Sequence, residues 1–282
     1  MSNHSPQAEP HAPLGVASRA RSDFDCVILA GDREQSDPLR RHSATRCKAL
    51  IPIQGTPMIH KVINALRRSD CIDTITLSGP KAEDLDSDQT LSQWVTERSI
   101  QWSSPEVSPS TSAYNFLKAL PDDKPALITT ADLPMLTPQI VEHFCHEAAA
   151  SDCDLLVGLA PHAIIQGAYP KMHKTVLRFR EGGYCGCNLF AFMTPKGREV
   201  ADFWRRIERQ RKKPLLVIGL LGWWAILRYK LGLLTLDAAL SRLSRKLGLK
   251  LGAVILPYPH AAVDVDSVLD YELVQEYTAK ER

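Results

Sequence analysis

The stretch Cys26-Val-Ile-Leu-Ala-Gly-Asp-Arg33, followed by Lys48-Ala-Leu-Ile-Pro-Ile-Gln-Gly-Thr-Pro57, decides how this chain folds. Its apolar opening has the length and composition of a buried strand. The strand opens into a polar loop carrying Gly31, Arg33, Arg40, Arg41, Arg46 and Lys48, and an apolar run with a Gly55-Thr-Pro57 turn closes the unit. A buried strand that delivers a basic loop to the carboxyl edge of a sheet is well placed to grip polyphosphate. Two acidic motifs downstream, around Asp132 and Asp266, can hold the metal that such a phosphate needs.

Outward from this unit, apolar runs alternate with helical patterns. The periodicity predicts strands over 25–29, 74–77, 126–130, 154–158, 186–192 and 253–256. It predicts helices over 58–68, 91–97, 112–119, 137–149, 196–212 and 268–281, and a helix pair within 215–249 that breaks near Gly232. Thr137 is the expected cap of its helix. This alternation argues for an α/β chain with a mostly parallel, doubly wound sheet. Residues 161–183 read as an irregular excursion over the sheet edge, and 196–250 as a helical insertion near the C-terminal end.

Composition sets the bounds. At 282 residues, with 44% apolar and 23% charged side chains, the chain can bury one good-sized core. A formal net charge of +2 excludes a strongly polyanion-seeking protein, so no nucleic-acid partner is expected. Seven scattered cysteines without a Cys-x-x-Cys pair read as reduced thiols, and the expected location is the cytoplasm. Residues 1–22 have no apolar signal core and read as a disordered tail, leaving one domain over 23–282. Pro214 to Leu227 is the most apolar stretch, yet it falls short of the about 20 residues that a bilayer crossing takes.

Asp132, in Thr129-Thr-Ala-Asp-Leu-Pro-Met-Leu-Thr-Pro138, directly follows the expected central strand. In open α/β sheets ligands bind beyond the carboxyl ends of strands, which places this carboxylate where substrates sit. Asp264-Val-Asp266 follows the last strand, and alternation puts its two acids on one side of the chain. Taken singly, each motif also fits a plain helix start, where acids complement the helix dipole. Together with the basic loop, Asp132 and Asp266 suit one Mg²⁺, which prefers few carboxylates, several waters and phosphate oxygens.

These residues, as a set in this order, resemble the MobA-like NTP transferases, the group of molybdenum-cofactor guanylyltransferase-like nucleotidyltransferases. Leu29-Ala-Gly31, Lys48, Pro52, Gly55, Pro57, Asp132 and Asp264-Val-Asp-Ser-Val-Leu-Asp270 take the places of that family's motifs. The likeness is good over about 24–160 and resumes at Gly186 and Asn188 and at the Asp266 segment. It departs at Asp32, which stands where the family has a second glycine, and at Cys47, which replaces a proline. These departures fit either a divergent subfamily with a longer, Arg-rich loop or a weakened phosphate grip, and the retained Lys48 and acidic motifs favour the first.

The resemblance implies a Rossmann-like three-layer α/β/α nucleotidyltransferase fold of the GT-A-like kind. It also implies transfer of a nucleoside monophosphate from an NTP to a phosphorylated small molecule or cofactor precursor, with release of pyrophosphate. Arg33 and Lys48 would neutralise the triphosphate, Asp132 would act with them, and Asp132 and Asp266 would hold Mg²⁺. Leu29, Ala30 and Gly31 would line the nucleotide, Ser110 and Ser112 the base or ribose, and Gly186 and Asn188 the acceptor. Residues 109–112 fit an ordinary capped helix start equally well, and Asn188 a strand-edge amide.

Other signals are weaker. Cys185-Gly-Cys187 lacks further ligands for zinc, and His143 with His146 fits a helix surface better than a metal site. The basic run from Arg205 to Lys213, next to the apolar stretch with Trp223 and Trp224, reads foremost as a solvated face beside a core helix, and otherwise as a peripheral membrane contact over 205–230 or a grip on a lipid-linked phosphate acceptor. Two other functions remain open at this level. One is glycosyl transfer from a nucleotide-sugar, although Asp132 has no acid two residues away. The other is a non-catalytic nucleotide-binding module.

Overall fold

The computed structural model describes residues 23–32, 38–43, 45–209 and 228–280, with backbone alone over 206–209. Strand β1 (Phe24–Leu29) is buried along its whole length, and its side chains divide by parity. Phe24, Cys26 and Ile28 enter one core, while Val27 and Leu29 enter a second on the opposite face. This is why Cys26–Leu29 shows no polar interruption, since a strand covered on both faces has no solvent side; the strand's one acid, Asp25, is buried and accepts the Thr74 hydroxyl at 2.5 Å.

The other strands are β2 (Pro52–Ile53), β3 (Thr56–Pro57), β4 (Ile72–Ser78), β5 (Gln101–Ser103), β6 (Ala126–Thr130), β7 (Leu155–Pro161), β8 (Leu177–Phe179), β9 (Gly182–Phe192) and β10 (Leu251–Ile255). The main sheet has the order β10-β7-β9-β6-β1-β4-β5, with β8 added beside β9. Neighbours pair in parallel except at β9, which runs antiparallel to β6, β7 and β8. The sheet is therefore mostly parallel, and the start of β9 lies at the edge where the parallel strands end. A register shift opposite Gly158 bulges β9 and leaves Asn188 at a φ of 50°.

Helices are α1 (Pro38–His42), α2 (Met58–Arg67), α3 (Ala82–Ser87), α4 (Gln89–Thr96), α5 (Pro109–Ala119), α6 (Pro138–Ala150), α7 (His162–Ala168), α8 (Pro195–Arg209), α9 (Leu236–Leu247) and α10 (Val268–Lys280). The apolar stripes of α2, α6 and α10 fill the larger core, and those of α5 and α8 fill the smaller one. The result is the three-layer α/β/α arrangement expected from the sequence.

Three local expectations need correction. Thr137 occupies the cap position of α6, but its hydroxyl makes no capping bond. The segment 161–183 is not irregular throughout, because it contains α7 and β8. Arg205, expected on a free cationic face, stacks 4.4 Å over Tyr114 and bonds the Asp202 carboxylate at 2.6 Å. The 1–22 tail, Arg33 and the apolar 214–227 stretch lie outside the described residues, as do the side chains of Arg206 to Lys213. Among the described residues, no helix is long and apolar enough to cross a membrane.

Candidate active site

Backbone bonds splice the strand ends into one edge. Ala30 N–H donates to the Ser78 carbonyl at 2.9 Å, Gly79 N–H to Ser103 at 2.9 Å, and Ala131 N–H to Leu29 at 3.1 Å. Val265 N–H donates to the Asp132 carbonyl at 3.0 Å, which brings the late acidic motif against the central one. At the junction of β1 and β4, Gly79 has a φ of 83°, and a Cβ there would lie 2.8 Å from the Gly31 nitrogen. Only glycine permits that approach.

Lys48 begins a 3-10 turn (Lys48–Leu50) behind the loop, and its side chain is 21% exposed. Its Nζ lies 3.0 Å from Asp132 Oδ2 and 2.6 Å from Asp266 Oδ1, bringing together residues 84 and 218 positions away in the chain. Burial works against the ammonium, but the Asp132 and Asp266 charges outweigh it and hold Lys48 above its ordinary 10.5. Thr130 donates to Asp132 Oδ1 at 2.6 Å and so fixes the orientation of that carboxylate.

Asp32, where the family pattern has glycine, knits the loop together. Its Oδ1 accepts the Lys48 backbone N–H at 3.1 Å, and its Oδ2 accepts the Arg40 guanidinium at 2.8 Å. Arg40 also donates to the Arg46 carbonyl at 2.6 Å. An acidic side chain thus takes up two donors, the Arg40 guanidinium and the Lys48 N–H. Cys47 is buried beside it, and burial, aided by the Asp32 charge, pushes its thiol up to about 12. It is an apolar anchor for Lys48 and not a nucleophile.

The remaining expected positions fall at the same edge or behind it. Leu29 and Ala30 are buried at the end of β1, with Gly31 against Pro105. Ser110 and Ser112 are buried in the first turn of α5, where Ser108, not they, is the cap, accepting the Thr111 N–H at 3.3 Å. Ser112 Oγ accepts the Glu106 N–H at 3.3 Å and steadies the loop before the helix. Asn188 Nδ2 lies 3.4 Å from Asp264 Oδ2, and Gly186 faces open space. Pattern reading did not find Lys174, whose ammonium bonds the Asp264 carboxylate. Desolvation raises the pKa of the Asp264 carboxyl above its ordinary value, although Lys174 pulls it down.

Among the described residues, no group of three or more His, Cys, Asp or Glu is set to hold a metal ion. What the site does have is two carboxylates, Asp132 and Asp266, directed at one cation position, with the Lys48 ammonium between them. Two hard oxygen donors suit an ion that keeps water and phosphate in its remaining positions.

The protein is thus a mostly parallel α/β sheet with Lys48, Asp132 and Asp266 gathered at the carboxyl edge of its strands. A profile of the MobA-like NTP transferase domain matches residues 26–178, more than half of the sequence, and the chain belongs to that family of nucleotidyltransferases. Among solved structures it is similar to a hypothetical transferase from Thermus thermophilus, at 25% identity and a TM-score of 0.73, over 88% of this chain and 99% of the other. It shares its fold with a CMP:2-keto-3-deoxy-manno-octonic acid synthetase complexed with CTP, at 13% identity and a TM-score of 0.56, over 92% and 100% of the two chains. A 2-C-methyl-D-erythritol 4-phosphate cytidylyltransferase, also from Thermus thermophilus, shares it too, at 13% identity and a TM-score of 0.53, over 92% and 99%. No curated protein sequence matches at a significant level.

Proposed function

We propose that this protein moves a nucleoside monophosphate from an NTP to a phosphorylated small-molecule acceptor, releasing pyrophosphate, with Mg²⁺ as its metal. The observation that carries the reading is the Lys48 ammonium shared by Asp132 and Asp266 at the carboxyl edge of the sheet. The names of the structural neighbours, one bound to CTP and one acting on an erythritol phosphate, accord with an NTP donor and a small anionic acceptor.

An anionic oxygen of the acceptor attacks the α-phosphorus in line. The bond from that phosphorus to the bridging oxygen breaks, and the electron pair leaves with pyrophosphate. No general base is needed, because the acceptor oxygen carries no proton. Asp132 and Asp266 would hold Mg²⁺, which neutralises charge on the phosphate oxygens when bound. Lys48 gives up those carboxylates and follows the triphosphate, while the Leu29-Ala-Gly31 backbone lies along it. Catalysis is then positioning and charge neutralisation, without a covalent enzyme intermediate. All seven cysteines are free thiols, which fits a reducing, cytoplasmic setting.

The test is pyrophosphate release from each of the four NTPs, offered with a panel of phosphorylated acceptors, with Mg²⁺ and with EDTA. One NTP is expected to turn over, and only with the metal. Asp132→Ala should lower turnover by about 10²- to 10³-fold, the scale of a lost charge-stabilising group. Unchanged turnover in that variant would overturn the assignment.

A further inference from the structure

Strands β2 and β3 form a hairpin of their own, off the main sheet, directly after the 3-10 turn that begins with Lys48. A hairpin of two short strands has little stability by itself. Ile51 and Ile53 sink into the larger core, but apolar contact is non-directional and fixes depth better than aim. The aim comes from hydrogen bonds to one side chain of α10, Gln275.

Every donor and acceptor of the Gln275 amide is engaged. Its Oε1 accepts the Gln54 N–H at 2.8 Å and the Gln54 side-chain amide at 3.1 Å. Its Nε2 donates to the Pro52 carbonyl at 3.1 Å and to the Tyr271 hydroxyl at 2.8 Å. The Gln54 amide also reaches the Gln275 carbonyl at 2.9 Å. These bonds hold Gln54 at a φ of 51°, in the left-handed region that a residue with a side chain seldom adopts. Tyr271 in turn meets His42 of α1 edge to face, with ring centroids 5.8 Å apart. Helix α10 therefore grips the chain on both sides of Lys48, at α1 and at the hairpin.

The same helix carries the lysine's counter-charge. Asp266 stands just before α10, and its N–H donates to the Asp270 carboxylate in the first turn at 3.3 Å. On the other side, the Ile51 N–H donates to the Lys48 carbonyl at 3.1 Å and ties the lysine's backbone to the hairpin. One helix thus fixes Asp266 at its start and the hairpin behind Lys48 further along. The 2.6 Å contact between Lys48 and Asp266 closes the ring.

We infer that Gln275 is a positioning residue for Lys48: through the β2–β3 hairpin it sets where the ammonium stands relative to Asp266, and it acts on nucleotide binding through that lysine. The inference rests on the nucleotidyl-transfer reading above, in which Lys48 follows the triphosphate.

The test titrates the full chain calorimetrically with a non-hydrolysable analogue of each NTP in the presence of Mg²⁺. The analogue that wild type binds is then carried through a double-mutant cycle. Gln275→Glu keeps the size of the side chain but loses the donor to Pro52 and Tyr271. It is expected to weaken binding about fivefold to tenfold, and Lys48→Met about tenfold or more. The double variant should bind within about twofold of Lys48→Met alone, whereas a role confined to folding would weaken both backgrounds alike. If Gln275→Glu does not fold, Gln54→Gly removes the other amide of the clasp at a φ that suits glycine and enters the same cycle, with the same non-additivity expected. Equal affinity in wild type and the clasp variant, or losses that multiply in the double variant, overturns the inference and leaves the nucleotide reading intact. Failure of every analogue to bind wild type overturns both.

Discussion

Asp32 stands where the family pattern calls for a residue without a side chain, and its carboxylate takes up two donors near the loop that carries Lys48. Under the proposed function, such a carboxylate competes within the protein for donors that a triphosphate would take. It also ties Arg40 and the Lys48 backbone to the residue that follows Gly31. Removing the charge while keeping the shape should therefore help the nucleotide. Asp32→Asn is expected to tighten NTP binding by about threefold to tenfold, read as a larger ligand-induced rise in melting temperature. Weaker binding would show that Asp32 positions Lys48 more than it competes. That Asp32 departs from the pattern was legible in the sequence. Its partners were not, because a hydrogen bond from Lys48 N–H, 16 residues on, follows from the path of a loop and not from any period.

At the scale of elements, the site depends on how closely the strand ends approach one another. Gly79 allows the turn after β4 to lie against the turn after β1, with Gly31 in turn against Pro105 after β5. Gly79→Ala would push a methyl group into the Gly31 backbone and force a non-glycine residue to a φ of 83°. The expected cost is about 1–3 kcal/mol, a fall of several degrees in melting temperature, together with weaker NTP binding. A variant that melts like wild type and binds NTP normally would refute the account of this junction. Strands β1 and β6 were legible almost to the residue, because strands buried on both faces keep mainly apolar runs, Cys26–Leu29 and Ala126–Ile128. The excursion at 161–183 was not. Helix α7 and strand β8 are short, and their Pro-, His- and Gly-rich sequence hides the pattern, so Lys174 was missed along with them.

At the scale of the whole molecule, one lysine ties three distant segments, and its titration becomes a property of the fold. Folding raises the pKa of Lys48 above its ordinary 10.5, so the native state holds this proton more tightly than the unfolded chain does. The associated stability is fully present below pH 10.5 and is lost as pH rises beyond it. Denaturant melts over about pH 9 to 11.5 should show wild type losing its advantage over Lys48→Met above that point. An advantage that stays constant across the window would mean that the ammonium contributes nothing through its charge. The layered α/β/α architecture was legible because alternation of elements survives as a pattern along the chain. The meeting of Lys48, Asp132 and Asp266 could be expected only because strand ends gather at one edge. The antiparallel course of β9, which carries Gly186 and Asn188 to that same edge, leaves no mark in composition or period.

Helix α10 has a further consequence. Its Gln275 accepts the Gln54 N–H at 2.8 Å and donates to the Pro52 carbonyl at 3.1 Å, clasping the β2–β3 turn just behind Lys48. A growing polypeptide therefore possesses Lys48 and Asp132 long before it possesses either Asp266 or the clasp that steadies their surroundings. Until Asp266 and α10 dock, Lys48 has only one of its two carboxylate partners and the β2–β3 turn is unclasped.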